Sequence, residues 1–258
     1  MLIFALFIVL FLLLGLVGDE RGVASLFSIV LNLIVFVFSM NLMMNTKNII
    51  LVTCIATLMF LGITLFLQNG WNKKTIAAGI SIMVVLVGIA VFSAIVVNVG
   101  SVGGHGELYI YDEEVAFMES QIGYDSYKLM IASVIIGILG AITDTALSVS
   151  SSMNEVLQHN PEISKHELFL SGSRVGWDIL GTTFSTLIFA EIGQAYFLWV
   201  IFARNKYSIE MLLNSKSFLQ ETFLLVVAAL GCLLVIPLTA RFSAEVFSEE
   251  KKVHNKVE

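Results

Sequence analysis

The segment TIAAGISIMVVLVGIAVFSAIVVNV, residues 75–99, contains no charged side chain. As a helix that rises ~1.5 Å per residue it would be ~38 Å long, enough to cross the ~30 Å hydrocarbon core of a bilayer. Six further stretches are predominantly apolar, at 2–17, 23–44, 49–67, 127–151, 178–202 and 218–239. We therefore predict an all-α fold, a polytopic transmembrane helix bundle of about seven spans.

The composition agrees with a membrane protein. Of 258 residues, 57% are hydrophobic and 13% are charged, about half of the ~25% that soluble domains carry, and the mean hydropathy is +0.91. These values exclude a disordered chain, a coiled coil and a large soluble catalytic domain. The net charge is −6, with no basic stripe that could follow a phosphate backbone. We expect the lipid bilayer as a partner and no nucleic acid.

The first apolar stretch, 2–17, would form a helix of only ~24 Å, so a cleaved signal peptide is the competing interpretation. No Lys or Arg precedes this stretch and no small-x-small cleavage site follows it. It ends in the sequence GDERG, residues 18–22, before the next apolar stretch begins. We therefore predict a short membrane span.

The polar connectors divide the chain into four parts of a single membrane domain. We predict a four-helix transmembrane scaffold at 1–99, an acidic, Gly-rich extracytoplasmic loop at 100–126, a three-helix transmembrane region at 127–242 with a cytoplasmic connector at 152–177, and a charged cytoplasmic tail at 243–258.

Lys and Arg in alternate connectors indicate the orientation, because cytoplasmic loops carry an excess of these residues. Nine fall on one side: Arg21, Lys73, Lys74, Lys165, Arg174, Arg241, Lys251, Lys252 and Lys256. Five fall on the other: Lys47, Lys128, Arg204, Lys206 and Lys216. We predict a multi-pass protein of a bacterial cell membrane with the N-terminus outside and the C-terminus in the cytoplasm.

Polar residues recur at helical spacing in the first spans. One seam consists of Ser25, Ser28, Asn32 and Ser39. Another consists of Thr53, Thr57, Thr64 and Gln68. Hydroxyl and amide groups in membrane helices commonly join packed helices, so we predict a packing role, with the lining of a pathway as the alternative.

Asp144 is the most unusual residue of the fifth predicted span. It lies about eight residues, or ~12 Å, from the cytoplasmic end, too deep for its short side chain to reach the headgroups. Ser148, Ser151 and Glu155 follow at helical intervals on the same face. Intramembrane acids are functional by default, so this face is a candidate transport path or ion site. The alternative is a protonated Asp144 that bonds a neighbouring carbonyl or hydroxyl group.

The sixth predicted span carries further candidates. Arg174 and Asp178 have the i, i+4 spacing of a helix-surface ion pair. Antiparallel packing would bring Thr182 and Thr183 near the depth of Asp144, and such oxygen ligands suit a hard cation or a proton relay. Glu191 lies near mid-bilayer by residue count, without an evident counter-charge.

The connector before this span contains SKHE, residues 164–167, a capping box in which Ser164 and Glu167 satisfy each other's backbone amides. We predict a short helix here, with Ser164, Glu167 and Arg174 as candidates for docking a partner chain. His105 in the acidic loop is a candidate for a divalent-metal site, and the identity of any metal stays open.

Nothing in the sequence indicates a cofactor or a nucleophilic catalytic set, so we do not expect an enzyme. The alternative is an intramembrane enzyme that uses Asp144 and Glu191 as an acid pair.

The segment GILGAITD, residues 137–144, continues into serines at 148 and 150–152 and then Asn154-Glu155. With the motifs between Pro161 and Thr182, it resembles the YibE/F-like family of bacterial multipass membrane proteins over residues 137–193. The resemblance implies an integral membrane protein with no settled biochemical activity. The chain departs from the family pattern at Trp177, where a basic residue often precedes the Asp, and at Glu191, where an aromatic residue is usual.

Two functions remain open from the sequence. The first is a transporter or transporter subunit, in which Asp144 and the Thr-rich sixth span line a path for an ion or small solute. The second is an assembly or anchoring protein whose cytoplasmic connector docks a partner chain. Either function is compatible with a second membrane subunit or a homo-oligomer.

Overall fold

The computed structural model describes residues 2–46, 48–104, 106 and 125–254, with side chains within 4–18, 22–46, 48–104, 106 and 125–248. Most of the predicted acidic loop and the metal candidate His105 lie outside the described residues.

Helices account for most of the described chain, and no strand occurs in it. The helices are α1 (Leu2–Val17), α2 (Asp19–Asn45), α3 (Ile49–Gly62), which continues into a π-helical segment (Ile63–Gln68), α4 (Lys73–Val99), α5 (Ser126–His159), α6 (Lys165–Gln194), α7 (Tyr196–Arg204), α8 (Ile209–Leu213) and α9 (Lys216–His254). The predicted all-α bundle is confirmed.

The connector predicted at 152–177 is much shorter than expected. Helix α5 continues to His159 and α6 begins at Lys165, so only residues 160–164 lie between them. The polar stripe of α5 keeps the helical period beyond the apolar stretch, and Pro161 cannot continue that helix in regular form. The capping box then starts α6 directly.

The sixth predicted span, 178–202, is interrupted. Helices α6 and α7 meet at Ala195 with a bend of 53°. Gly193, a weak helix former, lies next to the break.

The tightest packing joins α4, α5, α6 and α9. Their facing sides are filled by residues such as Ile82, Ile138, Ile142 and Val235, all fully buried. Helix α4, placed by the sequence with the first three helices, packs extensively on α5 and α9. Helices α1–α3 form an outer layer that contacts this core chiefly through α3 on α5.

The two polar seams of the outer layer join α2 to the end of the α3 span. Asn32 donates to the Thr64 hydroxyl at 3.3 Å, and Gln68 donates to the Ser25 hydroxyl at 3.3 Å. These hydrogen bonds confirm a packing role for those four residues.

The helices alternate between the two ends of the bundle. At one end, Ser150 donates to the Lys74 carbonyl at 2.9 Å and Lys165 approaches Glu245 at 3.5 Å. We call this the basic end, defined by Lys73, Lys74, Lys165 and Arg241. At the opposite end, Gln220 donates to the carbonyls of Val102 and Gly104 at 2.9 and 2.8 Å.

Five described helices are long and apolar enough to cross a membrane, and the bent pair α6–α7 makes a sixth candidate. Helix α1 falls among the shorter apolar helices, so its predicted span stays a prediction. The outer surface carries many exposed large apolar side chains, including Phe27, Val37, Val87 and Ile95, as expected for contact with lipid. The molecule is thus a multipass bundle whose seven-span count rests on α1 and on the bent pair.

Candidate functional site

The predicted polar stripe of α5 lies on the outside of the bundle. Asp144, Ser148 and Glu155 are exposed, and Ser151 is half-buried. Towards the other end the same face continues with exposed small residues at helical spacing: Ser133, Gly137 and Gly140. We call the seven residues together the α5 stripe.

The opposite side of α5 explains this orientation. It carries Ile138, Ile142, Val149 and Met153, which are buried against the neighbouring helices. Packing of this apolar side turns the α5 stripe away from the core. In water that arrangement would be ordinary amphipathicity, but in lipid it leaves polar groups on the face directed at the hydrocarbon.

Asp144 lies well inside the membrane-spanning part of the bundle. Ser150, about six residues further along α5, is level with Lys74 and with Ser243 through hydrogen bonds of 2.9 and 3.1 Å. Asp144 is therefore ~9 Å deeper than the basic end at ~1.5 Å per residue. An Asp side chain cannot span that distance, so the carboxyl group does not reach the headgroup layer.

Asp144 has no hydrogen bond or ion pair within the described part of the chain. The Cys232 thiol of α9 is close enough for an electrostatic interaction with Asp144. The neighbouring Thr145 hydroxyl donates to the Ala141 carbonyl at 2.8 Å. The predicted alternative, in which Asp144 bonds a nearby carbonyl or hydroxyl group, therefore has no support among these contacts.

Thr182 and Thr183 lie within about one helical turn of the depth of Asp144. Helix α6 runs antiparallel to α9, with Gly176 against Ile236 and Lys165 against Glu245. By this register, the α6 residue level with Cys232 is about Leu180. The expected similarity of depth is therefore met, although no described hydrogen bond joins either threonine to Asp144.

The α6 hydroxyl groups are bonded within their own helix. Thr182 and Thr183 both donate to the Ile179 carbonyl, at 2.8 and 3.0 Å, and Thr186 donates to the Thr182 carbonyl at 2.9 Å. Each oxygen keeps acceptor capacity after this donation. The hydroxyl groups can therefore still accept a hydrogen bond from a ligand or act as oxygen ligands.

The predicted ion pair between Arg174 and Asp178 is wrong. Both side chains are exposed, and no salt bridge joins them in the described part of the chain. Surface pairs of this type contribute only a few tenths of a kcal/mol, roughly the entropy needed to hold two side chains together.

Glu191 does not lie at mid-bilayer, as the residue count suggested. It is near the end of α6, and its carboxyl group lies against that of Glu221, near the start of α9. One of its carboxyl oxygens is buried without a hydrogen-bond partner in the described structure. The depth prediction failed because α6 begins at Lys165 and breaks at Ala195, which shifts Glu191 towards the end opposite the basic end.

Asp144 and Glu191 do not form an acid pair. Glu191 is level with Glu221, whereas Asp144 lies near Cys232, about eleven residues or ~17 Å further along α9. Sequence reasoning did not single out Glu221. The sequence feature that could have indicated Glu221 is its position, since it is an acid at the fourth residue of the apolar stretch 218–239.

The capping box of α6 is confirmed. The Ser164 hydroxyl accepts from the Glu167 amide at 3.2 Å, and the Glu167 carboxylate accepts from the Ser164 amide at 3.1 Å. Both residues are exposed, as is Arg174 further along α6. Their role in docking a partner stays a prediction. Within the described residues, no group of three or more His, Cys, Asp or Glu side chains is arranged to hold a metal ion.

The apolar, alternating helices and the lipid-exposed outer surface define a multipass helical membrane protein. The chain belongs to the YibE/F-like protein family, whose model matches residues 6–249. The family assignment therefore extends well beyond the segment 137–193 that carried the resemblance. A search of curated proteins and a search of solved structures each found no match.

Proposed function

We propose that this protein is a subunit of a membrane transporter in which an ion or small solute moves along the α5 stripe, with a second membrane chain completing the path. The observation that carries the proposal is Asp144, which is exposed on the outside of the bundle, below the headgroup layer and without a described partner. An acid at the centre of a membrane helix costs at least ~2.5 kcal/mol on insertion scales. A neighbouring chain that shields Asp144 from lipid reduces this cost.

The small residues of the α5 stripe support a neighbouring chain. Glycine and serine at helical spacing allow two membrane helices to approach closely, and beyond its own stretch of helix Gly140 has no atom within 4 Å of the position a Cβ would take. This face therefore has room for another helix. A second copy of this chain and a different membrane protein both satisfy the requirement.

The packing of α6 determines which of its residues could join this path. Gly172 packs on Met153 of α5 and Gly176 packs on Ile236 of α9, which fixes the sides of α6 that face each neighbour. Met153 and Asp144 are nine residues apart and so point to opposite sides of α5, and at ~100° per residue Asp178 and Thr182 lie ~120° and ~80° from Gly172 around α6. The exposed groups of the two helices are therefore turned away from the α5–α6 contact. This contact does not place Asp178 and Thr182 beside Asp144, and the proposed path rests on the α5 stripe.

A path through the middle of a single chain is less compatible with the packing. The centre of α4, α5 and α9 is filled by fully buried apolar side chains, including Ile82, Ile138 and Val235. Opening this core would require separating closely packed helices. The outer face of α5 already offers polar groups without such a change.

Asp144→Asn tests the proposal, because Asn retains the size and hydrogen bonding of a protonated acid but cannot ionise. Proteoliposomes containing the protein with any co-purifying chain are assayed for proton flux with an internal pH dye and for sodium flux. We expect the folded variant to lose flux or its pH dependence. Glu210→Gln, which changes an exposed acid of α8 outside both candidate sites, is the control and should behave as the wild type.

Wild-type flux and pH dependence in folded Asp144→Asn would contradict a role for this carboxyl group. Absence of both fluxes from the wild-type preparation would contradict transport of these ions.

The second candidate function is assembly or anchoring through the α5–α6 turn. The observation favouring it is the exposure of Pro161, Glu162 and the capped start of α6 at the basic end. The docking surface is then a short turn and the first turn of a helix. Recovery of a partner from solubilised membranes, tested with variants of Ser164 below, distinguishes this function from transport.

A further inference from the structure

A surface pocket of about 380 Å³ lies at the basic end, between the first turns of α6 and the second half of α9. Its lining combines three basic side chains, one acid and an apolar floor: Lys165, His166, Arg241, Glu245, Phe169 and Ala244. The α5 stripe does not contribute to it. The pocket is therefore separate from the proposed path.

The two cations of this pocket share a single carboxylate oxygen. Lys165 Nζ is 3.5 Å and Arg241 Nε is 3.6 Å from Glu245 Oε1. Both distances exceed the ~2.7–2.9 Å of a good charge-assisted hydrogen bond. Arg241 approaches Glu245 only through Nε, so the rest of its guanidinium fork remains available as a donor. Two positive charges thus face one negative charge.

The position of Arg241 places the pocket at the membrane interface. Residues 222–240 of α9 contain no charge and form ~28 Å of helix, close to the ~30 Å thickness of the hydrocarbon core. Arg241 is the first charged residue after this stretch. Phe169 and Ala244 provide apolar surface beside the charges. This is the layer in which phospholipid headgroups lie.

We propose that this pocket binds a phosphate group, supplied by the headgroup of an anionic phospholipid or by a soluble phosphate. The planar guanidinium of Arg241 suits two phosphate oxygens, and Lys165 adds a point charge from the neighbouring helix. Basic pockets between membrane helices are typical sites for anionic headgroups. Glu245 holds the two cations near each other, and it opposes the anion by its charge. Binding would tie α6 to α9 independently of transport.

The test measures binding of dioleoyl phosphatidylglycerol to the full-length protein in detergent, with dioleoyl phosphatidylcholine as the zwitterionic comparison and inorganic phosphate as the soluble probe. Lys165→Gln and Arg241→Gln should each weaken phosphatidylglycerol binding about fivefold, the effect of one cation near an anionic surface. Glu245→Gln should strengthen it, because it removes the opposing charge. Arg204→Gln, which changes an exposed cation at the end of α7 outside the pocket, is the matched control and should bind as the wild type.

The lipid headgroup is supported as the source of the phosphate group if the protein binds phosphatidylglycerol selectively, if Lys165→Gln and Arg241→Gln weaken this binding, and if Glu245→Gln strengthens it. Binding of inorganic phosphate with the same order, but not of the lipid, supports the phosphate site and assigns it to a soluble anion. Equal weakening by Arg204→Gln and Arg241→Gln, or binding of neither probe, overturns the proposal. Because Glu245→Gln is expected to bind phosphatidylglycerol more tightly, the proposal can still be tested if Lys165→Gln or Arg241→Gln folds poorly.

Discussion

Two glycines determine how closely α6 approaches its neighbours. A Cβ on Gly172 would meet the Met153 side chain of α5, and a Cβ on Gly176 would meet Ile236 of α9. The two sites differ because a Met side chain is unbranched and can move aside, whereas Ile236 is branched at Cβ and rotates little. Replacement by alanine should therefore cost less at Gly172 than at Gly176.

Gly176→Ala is expected to lower the free energy of unfolding by about 1–3 kcal/mol, the usual cost of overpacking. Gly172→Ala should cost clearly less. Gly181→Ala is the control, since no atom beyond its own stretch of helix lies within 4 Å of its Cβ position, and it should be neutral or stabilise by up to ~1 kcal/mol through helix propensity. Circular dichroism during denaturant titration in micelles measures all three. Equal decreases in the free energy of unfolding for Gly172→Ala and Gly176→Ala would contradict this account of the packing.

The positions of single residues could be predicted from the sequence only in part. Spacing alone predicted that Asp144, Ser148 and Glu155 share one face, and they do. Spacing could not predict whether that face points to the lipid or to the protein core, because both are apolar and hydropathy does not distinguish them. The contact between Glu191 and Glu221 was missed for a related reason, since it depends on where α6 breaks.

At the scale of elements, the α5–α6 turn depends on local chemistry. Ser164→Ala removes the hydroxyl that accepts from the Glu167 amide and should cost about 1 kcal/mol of local helix stability without preventing insertion. Hydrogen exchange of the amides at 165–168 measures this change. Ser164→Thr, which retains the hydroxyl, is the control and should preserve protection. Unchanged exchange in the alanine variant would contradict the role of the cap.

The same variant tests anchoring. If the turn docks a partner, recovery of that partner should fall with Ser164→Ala and fall further when residues 164–170 are replaced by a Gly-Ser sequence. Full recovery with both variants would contradict docking at this turn.

Most element boundaries were predictable because apolar stretches and caps are local signals. Helix α1 was predicted with the bounds observed, and Ser164 was predicted as the start of a helix. The extension of α5 to His159 was not predicted. The last turns of α5 are polar and are stabilised by packing, as the buried Met153 shows. The π-helical segment after Gly62 has no comparable signature in the sequence.

At the scale of the whole molecule, alternation of the helices gathers the charges predicted for one side at one end of the bundle. Lys74, Lys165 and Arg241 all lie at the basic end, tied together through Ser150, Ser243 and Glu245. The sequence could predict this grouping because each apolar stretch reverses the direction of the chain. The predicted orientation, with the basic end in the cytoplasm, rests on the asymmetry of Lys and Arg.

Cysteine labelling in intact cells tests that orientation, in a background where Cys54 and Cys232 are replaced by alanine. Ser101→Cys lies at the end opposite the basic end and Glu162→Cys lies at the basic end, and both positions are exposed. A membrane-impermeant maleimide should label the first and not the second until the cells are lysed, because only one end faces the medium. The reverse pattern would invert the orientation. Phe4→Cys extends the test to α1: labelling like that at Ser101 means that α1 crosses the membrane, whereas labelling only after lysis, as at Glu162, would contradict its predicted span.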